Sequence, residues 1–317
     1  MKVLVTGAAG FIGMHCAKRL LERGDEVVGV DNLSAYYSVQ LKKDRLAQLK
    51  HPEFSLAELD IAEEKLLGKL FAKHKPDRVL HLAAQAGVRH SLENPGAYIQ
   101  TNLVGFANLL ECCRRHPPGN LVFASSSSVY GANTELPWSE SQNVDHPVSL
   151  YAATKKSNEL MAHVYSHLYG LKTTGLRYFT VYGPWGRPDM SPMLFASAIL
   201  QGKPIQVFNH GDMQRDFTYI DDAVEGTLRV LDRPTRYAIY NIGNHQPVGL
   251  LDYIAALERA FGRQARLEMK PMQPGDVKAT YADTAALRAA VGFAPSTPLA
   301  AGLARFAEWF RGYYRAA

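Results

Sequence analysis

The stretch "VLVTGAAGFIGMHCAKRLLERG", Val3 to Gly24, runs from an apolar strand-like segment through a glycine turn into an amphipathic helical period. The strand-like segment ends at Thr6, and glycines stand at Gly7, Gly10 and Gly13. In a strand–turn–helix of this kind Gly7 makes the tight turn, Gly10 lets the backbone approach a pyrophosphate, and Gly13 permits close helix–sheet contact. The first N–H groups of the helix then face the anion. The spacing is GxxGxxG and not the GxGxxG of the standard fingerprint, so the glycines alone say little. Asp31 adds the missing half, because it ends the next apolar run, "DEVVGVD", eighteen residues past Gly13. A carboxylate there accepts hydrogen bonds from the adenosine ribose and repels a 2′-phosphate, which predicts NAD as cofactor and not NADP.

Outward from that stretch, short apolar runs alternate with helix-period segments. The runs are "KVLVTG", "DEVVGVD", "FSLAELD", "RVLHLAA", "NLVFAS" and "KTTGLRYF"; helices are expected near Phe11 to Glu22, Tyr37 to Leu49, Glu63 to Lys73, Pro95 to Arg115 and Ser149 to Leu168. This alternation predicts an α/β fold, a Rossmann doubly wound parallel sheet over residues 1–178, with segments near 217–246 returning to it. Past Phe179, Pro- and Gly-rich loops such as "VYGPWGRPDMSP" and "MKPMQPGD" mix with short helices. They predict a smaller C-terminal α/β region, residues 179–317, that binds substrate and acts as a lid.

Composition narrows the classes. With 317 residues, 47% of them hydrophobic, the chain can bury a large core. Cys16, Cys112 and Cys113 fit neither a disulfide framework nor a zinc spacing, which suggests a reducing compartment and the cytoplasm. The apolar start is too short for a signal peptide, and no apolar run reaches membrane-spanning length. A net charge of +5 is spread along the chain without a basic block, which argues against nucleic acid and suits an anionic small substrate.

"SLYAATKKSNELMAHVYSHLYG" holds the second constellation. Tyr151 and Lys155 are four apart on an expected helix and share a face. A nearby ammonium and a positive nicotinamide ring would stabilise the tyrosine phenolate, making Tyr151 a plausible acid/base for a substrate hydroxyl. Taken alone, Tyr-x-x-x-Lys is more often a solvated helix face. His163 and His167 lie well around the helix from Tyr151 and lack an HExxH carboxylate, so no metal is expected.

With "TGAAGFIG", "DNLSAYY", "HLAAQAGVRHSLENP", "TNLVGF", "SSSSVYG", "HPVSLYAATKKSNELMAH", "RYFTVYGPWGRPDM", "VFNHGDMQRDFTYIDD" and "MQPGDVKATYAD", the chain resembles the extended short-chain dehydrogenase/reductases. Over essentially its whole length it is similar to their nucleotide-sugar epimerases. The resemblance implies NAD-dependent 4-epimerisation of a UDP-sugar through a 4-keto intermediate. Ser126, Tyr151 and Lys155 would be catalytic, and Lys155 would also hold the nicotinamide ribose and lower the pKa of Tyr151. Cofactor contacts would come from Gly7, Gly10, Phe11, Ile12, Gly13, Asp31 and Asn32. Asp60 and Ile61 would contact the adenine; Leu82, Ala83, Ala84 and Asn102 would line the cofactor cleft; Ser125 and Tyr178 would lie near the nicotinamide end.

In this resemblance Ser126 bonds the sugar 4-oxygen. The related 4,6-dehydratases carry Asp and Glu at the next two positions, and the decarboxylases a Glu at the second; here they are Ser127 and Ser128. Hydroxyls cannot replace an acid/base pair for eliminating water. Oxidising C4 of a uronic acid makes a β-keto acid, so an epimerase must clamp the carboxylate. Arg187 in "GPWGRP", with Ser127, Ser128 and Thr180, could do so; Arg187 could instead brace its loop or hold a phosphate. Thr180 replaces an Asn of the galactose epimerases, which points to UDP-glucuronate and UDP-galacturonate. Arg215 and Asp276 match diphosphate and ribose contacts, Gln206, Val207 and Phe208 the uracil edge, and Arg89 a phosphate or sugar contact. Gln273 stands where galactose epimerases carry a second diphosphate-binding Arg. The helices from Pro95 and Ser149 resemble those of a four-helix dimer interface, which implies a homodimer. A UDP-glucuronate decarboxylase and a 4-epimerase of another UDP-hexose remain as alternatives.

Overall fold

A computed structural model describes residues 1–272 and 277–315. Strands β1 (Lys2–Thr6), β2 (Glu26–Asp31), β3 (Phe54–Glu58), β4 (Arg78–His81), β5 (Leu121–Ser126) and β6 (Thr173–Tyr178) fall on the six apolar runs. They are followed by β7 (Thr180–Tyr182), β8 (Pro204–Val207), β9 (Gln214–Tyr219), β10 (Tyr237–Ile242), β11 (Pro247–Gly249) and β12 (Arg266–Met269). A seven-stranded sheet has the order β10-β6-β5-β4-β1-β2-β3, and all its pairings are parallel. Its inner strands are buried nearly throughout because helices cover both faces, while the edge strand β3 is largely exposed. Helices Phe11–Glu22 and Ile220–Asp232 pack together on one face; Glu64–His74, Gly105–Arg115 and Leu150–Tyr169 cover the other.

Strand order reverses between β1 and β4, which opens a crevice at the carboxyl ends of the strands, the usual ligand position in such sheets. Thr6, Asp31, Leu82 and Ser126 all lie at that rim. The last strand, β10, joins β6 after an excursion of nearly 60 residues through the C-terminal region.

Two expectations change. The single helix expected from Pro95 to Arg115 is a turn at Pro95–Tyr98, a π-helical segment at Ile99–Val104 and an α-helix at Gly105–Arg115. Asn102 explains the break: its carbonyl accepts from Asn158 Nδ2 (2.6 Å), and its amide bonds Gln85 and Thr154. The C-terminal region is also more regular than its loops suggest. It holds a three-stranded sheet β11-β9-β7, a parallel pair β12-β8, and helices Ser191–Gln201, Leu250–Phe261 and Leu299–Tyr314. Glycines at positive φ, Gly202 and Gly262, end the first two of these helices. Among the described residues no helix is long and apolar enough to cross a membrane.

Candidate active site

A cleft of about 370 Å³ follows the rim of the sheet from the glycine turn to the helix Leu150–Tyr169. Gly7 adopts φ +73°, and a Cβ on it would lie 2.7 Å from the Ala83 nitrogen. A Cβ on Gly13 would lie 2.0 Å from the Gly7 carbonyl oxygen, so Gly13 makes room for the turn itself. The backbone N–H of Gly7 donates to the Val30 carbonyl (2.7 Å) and that of Ala9 to Asp31 Oδ2 (3.0 Å). Asp31 Oδ1 accepts from Leu33 N (2.9 Å), which leaves each carboxylate oxygen capacity for a ribose hydroxyl.

No side chain caps the helix Phe11–Glu22, so its N-terminus is open to an anion beside Gly10, Phe11, Ile12 and Gly13, all of which line the cleft. At the outer end Asn32 Nδ2 donates to Asp60 Oδ2 (2.8 Å), whose other oxygen accepts from Ala62 N (2.8 Å), and Ile61 packs beside them. A glycine cradle with no room for side chains, an uncapped helix start and a carboxylate at the end of β2 fit a dinucleotide.

The other end of the cleft is built by β5 and the helix Leu150–Tyr169. Ser149 caps that helix, its Oγ accepting from Ala152 N (3.1 Å), and the helical spacing presents Tyr151 and Lys155 together. Ser126, the last residue of β5, lines the cleft beside Tyr151. Burial raises the Tyr151 pKa, while the neighbouring Ser126 hydroxyl and the charge of Arg187 pull it back. Lys155 is 2% exposed; burial depresses its pKa to about 8, and its ammonium donates to the Ala124 carbonyl (2.9 Å). The side-chain cation that acts on Tyr151 is thus Arg187.

Arg187 lies on the loop after β7. Its Nε and Nη2 donate to Asp189 Oδ1 (3.1 Å) and Oδ2 (2.5 Å), and Tyr36 also donates to Asp189 Oδ2 (3.2 Å). Burial opposes the charge on Arg187, and Asp189 more than restores it. Arg187 therefore braces its loop and faces Tyr151 at once. Leu82, Ala83, Ala84, Ser127, Ser128 and Thr180 complete this part of the lining.

Some expected residues are turned elsewhere. Ser125 borders the cleft, yet its hydroxyl donates to Glu159 Oε1 (2.6 Å), itself paired with buried Arg177. The Tyr178 hydroxyl meets Thr227 Oγ1 (2.7 Å) in the core, so this residue offers the cleft little more than backbone. Asn102 stands behind the wall and braces the Gln85 backbone from both sides, accepting from its N–H (2.9 Å) and donating to its carbonyl (3.0 Å).

Arg89, Gln206, Val207, Phe208 and Arg215 lie outside the cleft. Arg89 covers the Phe208 ring (5.2 Å), and Arg215 donates to the Gln214 carbonyl (2.8 Å). The Val207 side chain is fully buried, and Gln206 is exposed. Gln273 and Asp276 fall outside the described residues.

The cleft also holds residues that sequence reasoning missed, among them Tyr36, Tyr37, Lys42, Gln85 and Met190. Lys42 is the most informative: it is 7% exposed, donates to the Ser34 carbonyl (2.7 Å), and is charge-coupled to Asp31. A buried lysine beside the Asp31 carboxylate was concealed in an ordinary-looking "LKK" helix face. Among the described residues no group of His, Cys, Asp and Glu could hold a metal ion.

Residues 3–243 match the NAD dependent epimerase/dehydratase family. Protein CapI of Staphylococcus aureus is 50% identical over 99% of this chain and 100% of its own length. UDP-glucuronate 4-epimerase 2 of Arabidopsis thaliana is 47% identical over 99% of this chain and 77% of its own. In three dimensions the chain is similar to UDP-glucuronic acid 4-epimerase from Bacillus cereus, solved in complex with UDP-glucuronic acid and NAD. The TM-score is 0.93 at 35% identity, covering 99% of this chain and 100% of that one.

Proposed function

Because the chain belongs to the NAD dependent epimerase/dehydratase family, we propose that it inverts C4 of UDP-glucuronate to give UDP-galacturonate. NAD held in this cleft would supply reversible hydride chemistry for oxidising and re-reducing the sugar at C4. Tyr151 takes the proton of the 4-hydroxyl and gives it back after the ring has turned. Ser126 bonds the same oxygen and keeps the Tyr151 hydroxyl aimed at it. Lys155 holds the nicotinamide ribose, and Asp31 the adenosine ribose.

Arg187 binds the sugar carboxylate and keeps it out of the perpendicular orientation in which a β-keto acid loses carbon dioxide. Ser127 and Ser128 line the site where dehydratases hold acids and bring hydroxyls there instead of negative charge. The observation that carries this reading is the Arg187 guanidinium facing Tyr151 within one cleft.

We place UDP on the C-terminal region, residues 179–317, with Arg215 and the Arg89–Phe208 pair toward its diphosphate and uracil; residues 1–178 with β10 form the NAD-binding part. The three free, buried thiols suit the cytoplasm. We also propose a homodimer. Leu160, Val164 and Leu168 form an exposed apolar row one helical turn apart on Leu150–Tyr169, with exposed Ile99 and Val104 on the preceding helical segments.

Incubation of the purified, NAD-loaded protein with UDP-glucuronate, followed by proton NMR, is expected to show UDP-galacturonate. A UDP-pentose as the main product would replace epimerisation by decarboxylation, and unchanged substrate would end the reading.

A further inference from the structure

Arg45 has no exposed surface, and every hydrogen bond it makes ends on a neutral oxygen. Nη1 donates to the Ala9 carbonyl (3.2 Å) and the Tyr37 hydroxyl (2.7 Å). Nε and Nη2 donate to the Trp185 carbonyl (3.0 and 2.7 Å), and Nη2 also to the Gly186 carbonyl (3.0 Å). Among the described residues no carboxylate forms an ion pair with it. A buried cation without a counter-charge is costly and persists only where its hydrogen bonds are well made.

The acceptors belong to three segments far apart in sequence. Ala9 is in the glycine turn, Tyr37 precedes the helix Val39–Ala47, and Trp185 and Gly186 lead directly into Arg187. The fork of one guanidinium spans them; a lysine carries the same charge on a single nitrogen and cannot. The Arg187 loop needs such a support, because Trp185 stands at φ +64°, a strained conformation for a bulky residue. From the far side Trp309 and Tyr313 pack on the Trp185 ring (5.3 and 5.0 Å), and Tyr313 donates to Asp44 (2.5 Å), the neighbour of Arg45.

We propose that Arg45 is a positioning residue, which locks the Arg187 loop onto the glycine turn so that the carboxylate clamp and the dinucleotide loop keep one spacing. Its kinetic consequence rests on the uronate reading above; its structural consequence does not. The first arm is hydrogen exchange on the NAD-bound protein. Arg45→Lys should speed exchange in segments 7–13 and 183–189 while leaving the helix Leu150–Tyr169 at its wild-type rate. Wild-type exchange in the two loops overturns the proposal. Should Arg45→Lys fail to fold, Tyr37→Phe removes one acceptor and should speed the same two segments more weakly; no change there overturns the proposal equally.

The second arm is a double-mutant cycle with Arg187→Gln on UDP-glucuronate. Arg45→Lys alone should lower kcat/KM by roughly tenfold to a hundredfold. In the Arg187→Gln background it should cost at most about twofold, since its effect runs through Arg187. Losses that multiply would show that Arg45 acts by another route. If the wild type does not turn over UDP-glucuronate, the functional reading falls, and the exchange arm decides the positioning role by itself.

Discussion

A side chain whose role is local is readable from its neighbours in sequence. Gly7 and Gly13 are set by a turn within one short stretch, Asp31 by the end of the next strand, and Tyr151 with Lys155 by one helical turn. The roles of Ser125, Tyr178 and Asn102 are not local. Their partners Glu159, Thr227 and Gln85 stand 34, 49 and 17 residues away, and no spacing rule reveals them. Lys155 yields a prediction at this scale. Its folded pKa, about 8, lies below the ordinary 10.5, so the buried ammonium burdens the unliganded fold at neutral pH. That cost is relieved as pH rises from about 8 to 10.5. Melting curves of NAD-free wild type and Lys155→Met should therefore shift in favour of the wild type across that window, by up to about 3 kcal/mol. A constant difference between pH 7 and 10 would contradict it.

Among the elements, the six strands from β1 to β6 were legible because each is a short strand-like run bounded by turn residues, and all but the exposed edge strand β3 are buried. The helix from Pro95 was legible as helical, but its π-helical segment was not, because the cause is one amide reaching across to the loop after β4. Asn102→Ala removes the bonds to the Gln85 backbone and Thr154 and leaves buried polar groups unsatisfied. It should cost about 2–4 kcal/mol of stability and loosen the wall of the cofactor cleft. Thermal unfolding combined with the NAD content of the purified protein checks both effects; unchanged NAD retention would mean that the wall holds without Asn102.

Across the whole molecule, the doubly wound parallel sheet followed from the alternation of strands and helices alone. The site's second half did not, because Arg187 reaches it from a loop whose placement depends on Arg45, far away in sequence. Assembly is testable at this scale. Val164→Glu puts a charge in the middle of the exposed row Leu160, Val164 and Leu168 without touching the core. Sedimentation should show a dimer for the wild type and a monomer for the variant, with circular dichroism unchanged; dimers in both would move the interface elsewhere.

The late arrival of β10 also sets a schedule for the chain as it is made. Until Tyr237–Ile242 emerges, the outer edge of β6 has no partner, and nearly 60 residues separate the two strands. At ~5–20 residues per second that edge stays open for roughly 3–12 s of synthesis. An unpaired strand edge that is wholly buried in the finished fold is a template for pairing with other chains. The newborn protein is thus most vulnerable to aggregation, and most in need of a chaperone, before its last sheet strand leaves the ribosome.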